Sequence, residues 1–116
     1  TVRNTLSLHD ALPISAAATF RELWNNRALD PENTEKDMND LGYKYLNGDK
    51  TEEALLVFGL NVETFPQSWN VYDSYGEALM KKGDDQGAVE YYEKSIGLNP
   101  DNENGKKMLE KLRSQE

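Results

Sequence analysis

Near the amino terminus, Ser7, His9 and Asp10 place a hydroxyl, an imidazole and a carboxylate close together in the chain. These are the groups of a nucleophile, a general base and an acid that orients the base, and His9 is the one histidine in the chain. A catalytic triad depends on convergence in three dimensions, which residues this close on one strand or turn do not readily achieve. We therefore expect no catalytic site here.

The segment that carries these residues is unusual in itself. Residues 5–14 read TLSLHDALPI, which resembles the translation of a common short-read sequencing adapter. On this interpretation residues 1–15 are a non-native lead-in, and the protein that preceded them is missing. The alternative is a native lead-in rich in Ser and Leu. Recovery of a continuous reading frame that includes these codons would exclude the adapter.

Other groups that could bind a ligand have simpler interpretations. Carboxylates cluster at residues 84–85 and 101–103, but neither cluster has the alternating oxygen ligands, the central Gly and the closing Glu of a calcium loop. We interpret both as helix caps and expect no metal and no other cofactor. The six tyrosines could form a stacking surface for bases or sugars, but their spacing favours core packing.

Composition narrows the classes of partner. The 116 residues contain 13 Lys and Arg against 21 Asp and Glu, a formal charge of −8 that repels phosphate backbones and anionic membranes. We expect no nucleic-acid partner. No run approaches the roughly 18 apolar residues of a membrane span, so we expect no membrane partner either. The absence of cysteine excludes disulfides and thiolate chemistry but does not indicate a compartment.

One side-chain pattern occurs twice in the chain, and the same offset separates every corresponding pair. The pairs are Met38 and Tyr72, Leu41 and Tyr75, Gly42 and Gly76, Tyr45 and Leu79, Ala54 and Ala88, Phe58 and Tyr92, and Pro66 and Pro100. We call this common offset the repeat period. Each copy predicts two amphipathic helices, with a glycine where the helices approach closely. A helix-turn-helix unit of this length, about 34 residues, resembles the tetratricopeptide repeat.

The pattern predicts an all-α fold with two repeats. We expect a short helix and linker at 16–33, repeats at 34–67 and 68–101, and a solvating cap helix at 102–116. The short helix carries Phe20, Leu23 and Trp24 on one face. The expected caps of the later helices are Thr34 with Asp37, Asp49 or Thr51, Asp84 and Asp101, and Ser68 is expected to start the second repeat.

Three stretches of the chain resemble a narrower group of tetratricopeptide repeats. Residues 58–66, 70–78 and 92–100 are similar to repeats at the carboxyl end of bacterial serine hydrolases, both beta-lactamase-like and esterase-like. This resemblance implies a severed accessory domain whose catalytic serine lay upstream, and it points to the bacterial cell envelope or periplasm. The chain contains no Ser-x-x-Lys and no Gly-x-Ser-x-Gly, so we expect no enzyme activity from it.

The resemblance to tetratricopeptide repeats also implies a binding face. Such arrays bind extended peptides on the concave surface made by the first helix of each repeat. The side chains expected there are Asn39, Tyr43, Leu46, Asn70, Asp73, Glu77 and Met80. This polar, aromatic and acidic set favours a neutral or basic peptide over a clamp for a terminal carboxylate, which needs Lys and Arg. The alternative is a solvated face of a structural spacer.

Two features predict limited stability. Asn61 and Ser95 replace the small alanine expected near the end of each second helix, so each needs a hydrogen-bond partner or partial exposure. Two repeats are also fewer than the roughly three that such arrays need. We expect a marginal monomer, steadied by the helix of Phe20 and Trp24 or by self-association.

Overall fold

The computed structural model describes residues 16–115, which form six helices joined by short turns. The helices are α1 (Ala17–Asn25), α2 (Pro31–Asn47), α3 (Thr51–Thr64), α4 (Trp69–Lys82), α5 (Asp85–Leu98) and α6 (Glu103–Arg113). No strand occurs in this part of the chain, so the all-α prediction is confirmed. None of these helices is long and apolar enough to cross a membrane. The adapter-like segment and its Ser7, His9 and Asp10 lie outside the described residues.

The helix boundaries follow the same period as the side chains. Thr51 begins α3 and Asp85 begins α5 one repeat period later, while Trp69 and Glu103 begin α4 and α6 at the same spacing. The cap helix α6 therefore stands where the first helix of a third repeat would stand. Ala17 begins α1 one repeat period before α3, so α1 has the register of the second helix of a repeat.

Each helix pair closes where a glycine meets an aromatic ring. A Cβ at Gly42 of α2 would lie 2.2 Å from the Phe58 ring of α3, and one at Gly76 of α4 would lie 3.2 Å from the Tyr92 ring of α5. Both rings are fully buried. Interiors pack at near-crystalline density, so a methyl group at Gly42 has no room. The predicted role of these two glycines is confirmed.

The core continues into the cap helix. Leu109 and Leu112 of α6 join the buried cluster of Leu79, Ala88 and Tyr92. The basic side chains of α6 are exposed, namely Lys106, Lys107, Lys111 and Arg113. The predicted cap helix, apolar inside and charged outside, is therefore confirmed.

The predicted start of α2 is wrong. The helix begins at Pro31 instead of Thr34, and the Asp30 side chain caps it by accepting from the Glu32 amide at 3.1 Å. Proline favours this first helical position because its ring fixes φ and its missing N–H would have had no partner. Thr34 then lies inside the first turn, and its hydroxyl donates to the Asp30 carbonyl oxygen at 2.6 Å.

Caps differ from the prediction at two other turns. The N-cap of α3 is Lys50, so neither Asp49 nor Thr51 caps this helix. Asp49 instead takes the left-handed conformation after α2 (φ 62°), while Gly48 has φ −92°. Asn102, not Asp101, caps α6 by accepting from the Gly105 amide. The predicted cap of α5 is confirmed, since the Asp84 side chain accepts from the Gly87 amide.

Helix α1 is attached to the carboxyl end of α3. The Trp24 ring meets Phe65 edge-on at 5.2 Å between centroids. The Arg21 guanidinium donates to both carboxylate oxygens of Glu63, at 2.9 and 3.0 Å. These two contacts put Trp24 against the array, as its apolar face predicted, while Leu23 remains 38% exposed.

Candidate functional site

Helices α2, α4 and α6 form one face of the array, here named the A-helix face. Side chains bond directly from α4 to α2: Ser74 donates to Asn39 Oδ1 at 2.6 Å, and Lys81 donates to the Leu46 carbonyl oxygen at 2.7 Å. Helix α3 packs on α2 and α4, and α5 packs on α4 and α6. The first helices of the repeats are thus held side by side, as the concave surface of a repeat array requires.

Tyr43 and Glu77 form the central contact of the A-helix face. The Tyr43 hydroxyl donates to Glu77 Oε1 at 2.8 Å. Burial, and the negative charges of Glu77 and Asp73, raise the pKa of Tyr43, so its hydroxyl stays protonated and remains a donor at neutral pH. Both residues were expected on this face, but their bond to each other was not predicted.

Asp73 is buried between α4 and α6. The residue is 8% exposed, and its carboxylate accepts from Asn102 Nδ2 at 2.9 Å and from Asn104 Nδ2 at 3.4 Å. The nearby Tyr92 hydroxyl is fully buried without a hydrogen-bond partner, and burial followed by the charges of Asp73 and Glu77 raises the pKa of Tyr92. Asp73 therefore serves the interior of the protein more than its surface.

A groove of about 410 Å³ lies at the carboxyl ends of α2, α4 and α6. Its walls come from three of the expected residues and six others: Leu46, Glu77 and Met80, with Asn47, Lys81, Asp85, Lys111, Leu112 and Gln115. Three of the seven residues expected on the A-helix face therefore line one groove.

The remaining expected residues are spread over the face. Asn39 is engaged with Ser74, and Asn70 is partly exposed in the first turn of α4. Leu46 is only 2% exposed and serves as groove floor, while Met80 is partly buried against the core. Of the seven residues, Leu46 and Asp73 are buried and so offer little surface to a partner.

Sequence reasoning missed Ser74, Lys81 and Asn102. The signal that could have found Asn102 is the repeat period, because Asn102 stands one period after Ser68. Both side chains reach back to the preceding first helix: the Ser68 hydroxyl donates to Glu35 Oε2 at 2.6 Å, and Asn102 donates to Asp73. The position in the repeat, more than the residue type, therefore indicates a contact with the preceding first helix.

The buried polar side chains Asn61 and Ser95 have partners, as predicted. Asn61 donates to the Glu35 carbonyl oxygen at 3.0 Å, and Ser95 donates to the Trp69 carbonyl oxygen at 2.8 Å. The two donors are one repeat period apart, and so are the two acceptors, so both repeats make the same bond between their helices. Asn61 Oδ1 remains buried without a partner.

Comparison with known proteins agrees with this geometry. Residues 70–102, which contain α5 and nearly all of α4, match the model of the tetratricopeptide repeat family. The second repeat is thus similar in sequence to a tetratricopeptide repeat. The structure of a mutant of MamA is similar in fold, with a TM-score of 0.65 and 22% identity over 90% of this chain and 77% of that chain. No curated protein sequence matches the chain.

The tetratricopeptide resemblance is therefore supported, and the fold prediction is confirmed. The similarity to serine hydrolase tails stays a prediction, as does the adapter origin of residues 5–14. The domain boundaries at 33/34, 67/68 and 101/102 also stay predictions. Within residues 16–115, no three His, Cys, Asp or Glu side chains are grouped so as to hold a metal ion.

Proposed function

We propose that the protein is a noncatalytic interaction module that holds an extended peptide, neutral or basic, on its A-helix face. The groove at the carboxyl ends of α2, α4 and α6 receives one side chain of the peptide, and Glu77 attracts its positive charge. Tetratricopeptide arrays present such surfaces to protein partners.

The observation that carries this proposal is that the groove carboxylate Glu77 has no cation beside it. Within residues 16–115, Glu77 forms no ion pair, whereas the carboxylates of Asp40, Asp49 and Glu63 each meet a Lys or Arg. A partly buried carboxylate without a cation is costly, and a bound lysine or arginine reduces that cost.

The basic side chains of the groove do not form a carboxylate clamp. Lys81 is already engaged, because its ammonium group bonds to the Leu46 carbonyl oxygen and lies 3.2 Å from Asp49 Oδ1. Lys111 then remains as the second lysine of the groove, which Glu77 and Asp85 also line. A terminal carboxylate needs a cluster of cations, so this arrangement favours a basic or neutral peptide.

Titration with three matched peptides tests the proposal. Blocked peptides of about nine residues, consistent with an extended segment along the face, carry Lys, Gln or Glu at the same alternate positions. We expect binding to weaken from Lys to Gln to Glu. Glu77→Gln should weaken the Lys peptide about tenfold, and the control Glu110→Gln, on the exposed side of α6, should leave binding unchanged.

The result that contradicts the proposal is equal affinity of the three peptides, or no binding at all. Asp73 is left intact in this experiment because its bonds to Asn102 and Asn104 are structural. The interpretation as the accessory domain of a serine hydrolase is tested separately, by recovery of the upstream reading frame. Self-association is tested by sedimentation of the full chain.

A further inference from the structure

A second and larger groove, of about 770 Å³, lies between α3 and α4. At 100° per residue, its α4 residues Tyr75, Leu79 and Lys82 lie on the side of that helix opposite Asp73 and Glu77. The groove therefore faces away from the A-helix face. Its floor is apolar and consists of Leu55, Leu56, Gly59, Leu60, Tyr75 and Leu79. We name it the α3–α4 groove.

The second repeat shows that the repeat fold does not require this apolar floor. One repeat period after Leu56, Gly59 and Leu60, the chain holds Glu90, Glu93 and Lys94. There the charged side chains form ion pairs, Lys94 with Glu90 at 3.7 Å and Arg113 with Glu93. The same helical positions can thus be solvated, but in the first repeat they are apolar and line a cavity.

Gly59 deepens the groove, although the packing of the protein does not require a glycine at this position. A Cβ at this position would lie 3.7 Å from the Tyr75 ring, an ordinary contact, so alanine would fit. A glycine inside a helix weakens it relative to alanine. Its missing side chain lets a partner backbone approach α3 closely, as small residues do where helices pack.

Charges border the groove at both ends. Lys82 pairs with Glu52 at 3.2 Å at one end, and Arg21 pairs with Glu63 at 2.9 Å at the other. From Glu52 to Glu63 the helix rises about 16 Å, or three turns. These charged pairs lie on a chain whose net charge is −8.

We propose that the α3–α4 groove docks an amphipathic helix of a partner protein, about three turns long, with an apolar stripe flanked by lysine or arginine. A helix satisfies its own backbone groups, so it can lie on a floor of leucine and tyrosine carbons. An extended peptide would leave its amides without partners there. The net charge of −8 favours a basic helix over an acidic one.

The repeat itself supplies variants that test this groove. Leu56→Glu and Gly59→Glu introduce the residues that α5 carries at the equivalent positions, Glu90 and Glu93, so the repeat fold accepts them. The matched controls are Leu98→Glu and Gly97→Glu on α5, where Leu98 is exposed and a Cβ at Gly97 would have no neighbour within 4 Å. Circular dichroism verifies the fold of all four.

The probe is a blocked peptide of about fourteen residues, a little longer than the groove, made of Leu, Ala and Lys with leucines at i, i+4, i+7 and i+11. A twin carries Glu in place of Lys. Binding to the full chain is followed by the methyl NMR signals of Leu55, Leu56, Leu60 and Leu79. We expect saturable shifts of these signals, about tenfold weaker binding by Leu56→Glu and by Gly59→Glu, and unchanged binding by the controls.

Three results would overturn the proposal. The first is undiminished binding by Leu56→Glu and Gly59→Glu, and the second is equal binding of the Glu twin. The third is a shift of the same methyl signals on concentrating the protein alone, which would assign the groove to a second copy. The Glu77→Gln variant should bind the helical probe normally, so failure of the A-helix face is distinguished from failure of this groove.

Discussion

The Tyr43 hydroxyl donates a 2.8 Å hydrogen bond to Glu77, a residue one repeat period further along the chain. Tyr43 and Glu77 occupy the same position in consecutive repeats, so one contact joins the two first helices at their equivalent points. It also fixes the carboxylate on which the proposed peptide site depends. Stability and binding are therefore linked at this pair.

Removal of the hydroxyl should weaken that link. We expect Tyr43→Phe to lower the free energy of unfolding by about 1 kcal/mol, because the Glu77 carboxylate loses a donor but can still reach water. Urea denaturation measures the change. In the peptide titration the variant should bind the Lys peptide at least as well as the native protein, since Glu77 has then lost a competing donor.

Replacement of tyrosine by phenylalanine should have the opposite effect on stability at Tyr92. Its hydroxyl is buried without a partner, and the equivalent position of the first repeat holds Phe58. We expect Tyr92→Phe to raise the free energy of unfolding by about 1 kcal/mol, since a buried hydroxyl without a hydrogen bond costs about that much. A loss of stability in urea denaturation would show that this hydroxyl has a partner in solution.

The effect of replacing a glycine by alanine should depend on the space around its Cα. We expect Gly42→Ala to lower the free energy of unfolding by about 3 kcal/mol, because the new methyl group would lie 2.2 Å from the Phe58 ring. Gly97→Ala has open space and should raise it by about 0.5 to 1 kcal/mol through better helix propensity. Thermal melting measures both variants, and a shift of their two melting temperatures in the same direction would contradict this account.

The repeat period determined what could be predicted from the sequence. It placed α3 and α5, the role of Gly42 and Gly76, and the face that carries Tyr43 and Glu77. It did not place the start of α2. Two caps compete there, Asp30 followed by Pro31 and Thr34 one turn later, and the local contacts decide which of them begins the helix. Cap choice depends on which side chain reaches the first amides, and spacing alone does not determine that.

The repeat pattern also did not predict which side chains contact each other. The burial of Asp73 depends on how closely α6 approaches α4, and Asn102 bonds to both Asp73 and Ser95 only at that distance. A period assigns positions to faces, but it contains no interhelical distance. The candidate site was therefore predicted as a set of positions, while its hydrogen bonds required the structure.

Asn102 should be the most sensitive polar residue of the second repeat. Its amide donates to Asp73 and Ser95, and its oxygen caps α6 through the Gly105 amide. We expect Asn102→Ala to lower the free energy of unfolding by about 2 to 3 kcal/mol, since it removes the cap and leaves a buried carboxylate short of donors. The control Asn104→Ala, exposed and 3.4 Å from Asp73, should change it by less than about 0.5 kcal/mol in urea denaturation.

Attachment of α1 should depend on pH through Glu63. The hydrogen bond from Arg21 lowers the pKa of Glu63 from its ordinary value of 4.5, so the folded state favours the carboxylate. A lowered pKa stabilises the folded state above the unfolded value and loses that contribution as pH falls through the folded value. Below about pH 4.5 we therefore expect α1 to loosen, by a small amount because both side chains are about half exposed.

The indole NMR signal of Trp24 reports this step, because Trp24 packs on Phe65 beside the ion pair. It should shift on acidification from about pH 5 to pH 3, while the signal of Trp69 serves as the internal reference. Glu63→Gln should abolish the shift, and high salt should reduce it, since exposed charges are screened. A shift of equal size in Glu63→Gln would mean that another carboxylate controls the helix, and that the Arg21 pair does not anchor it.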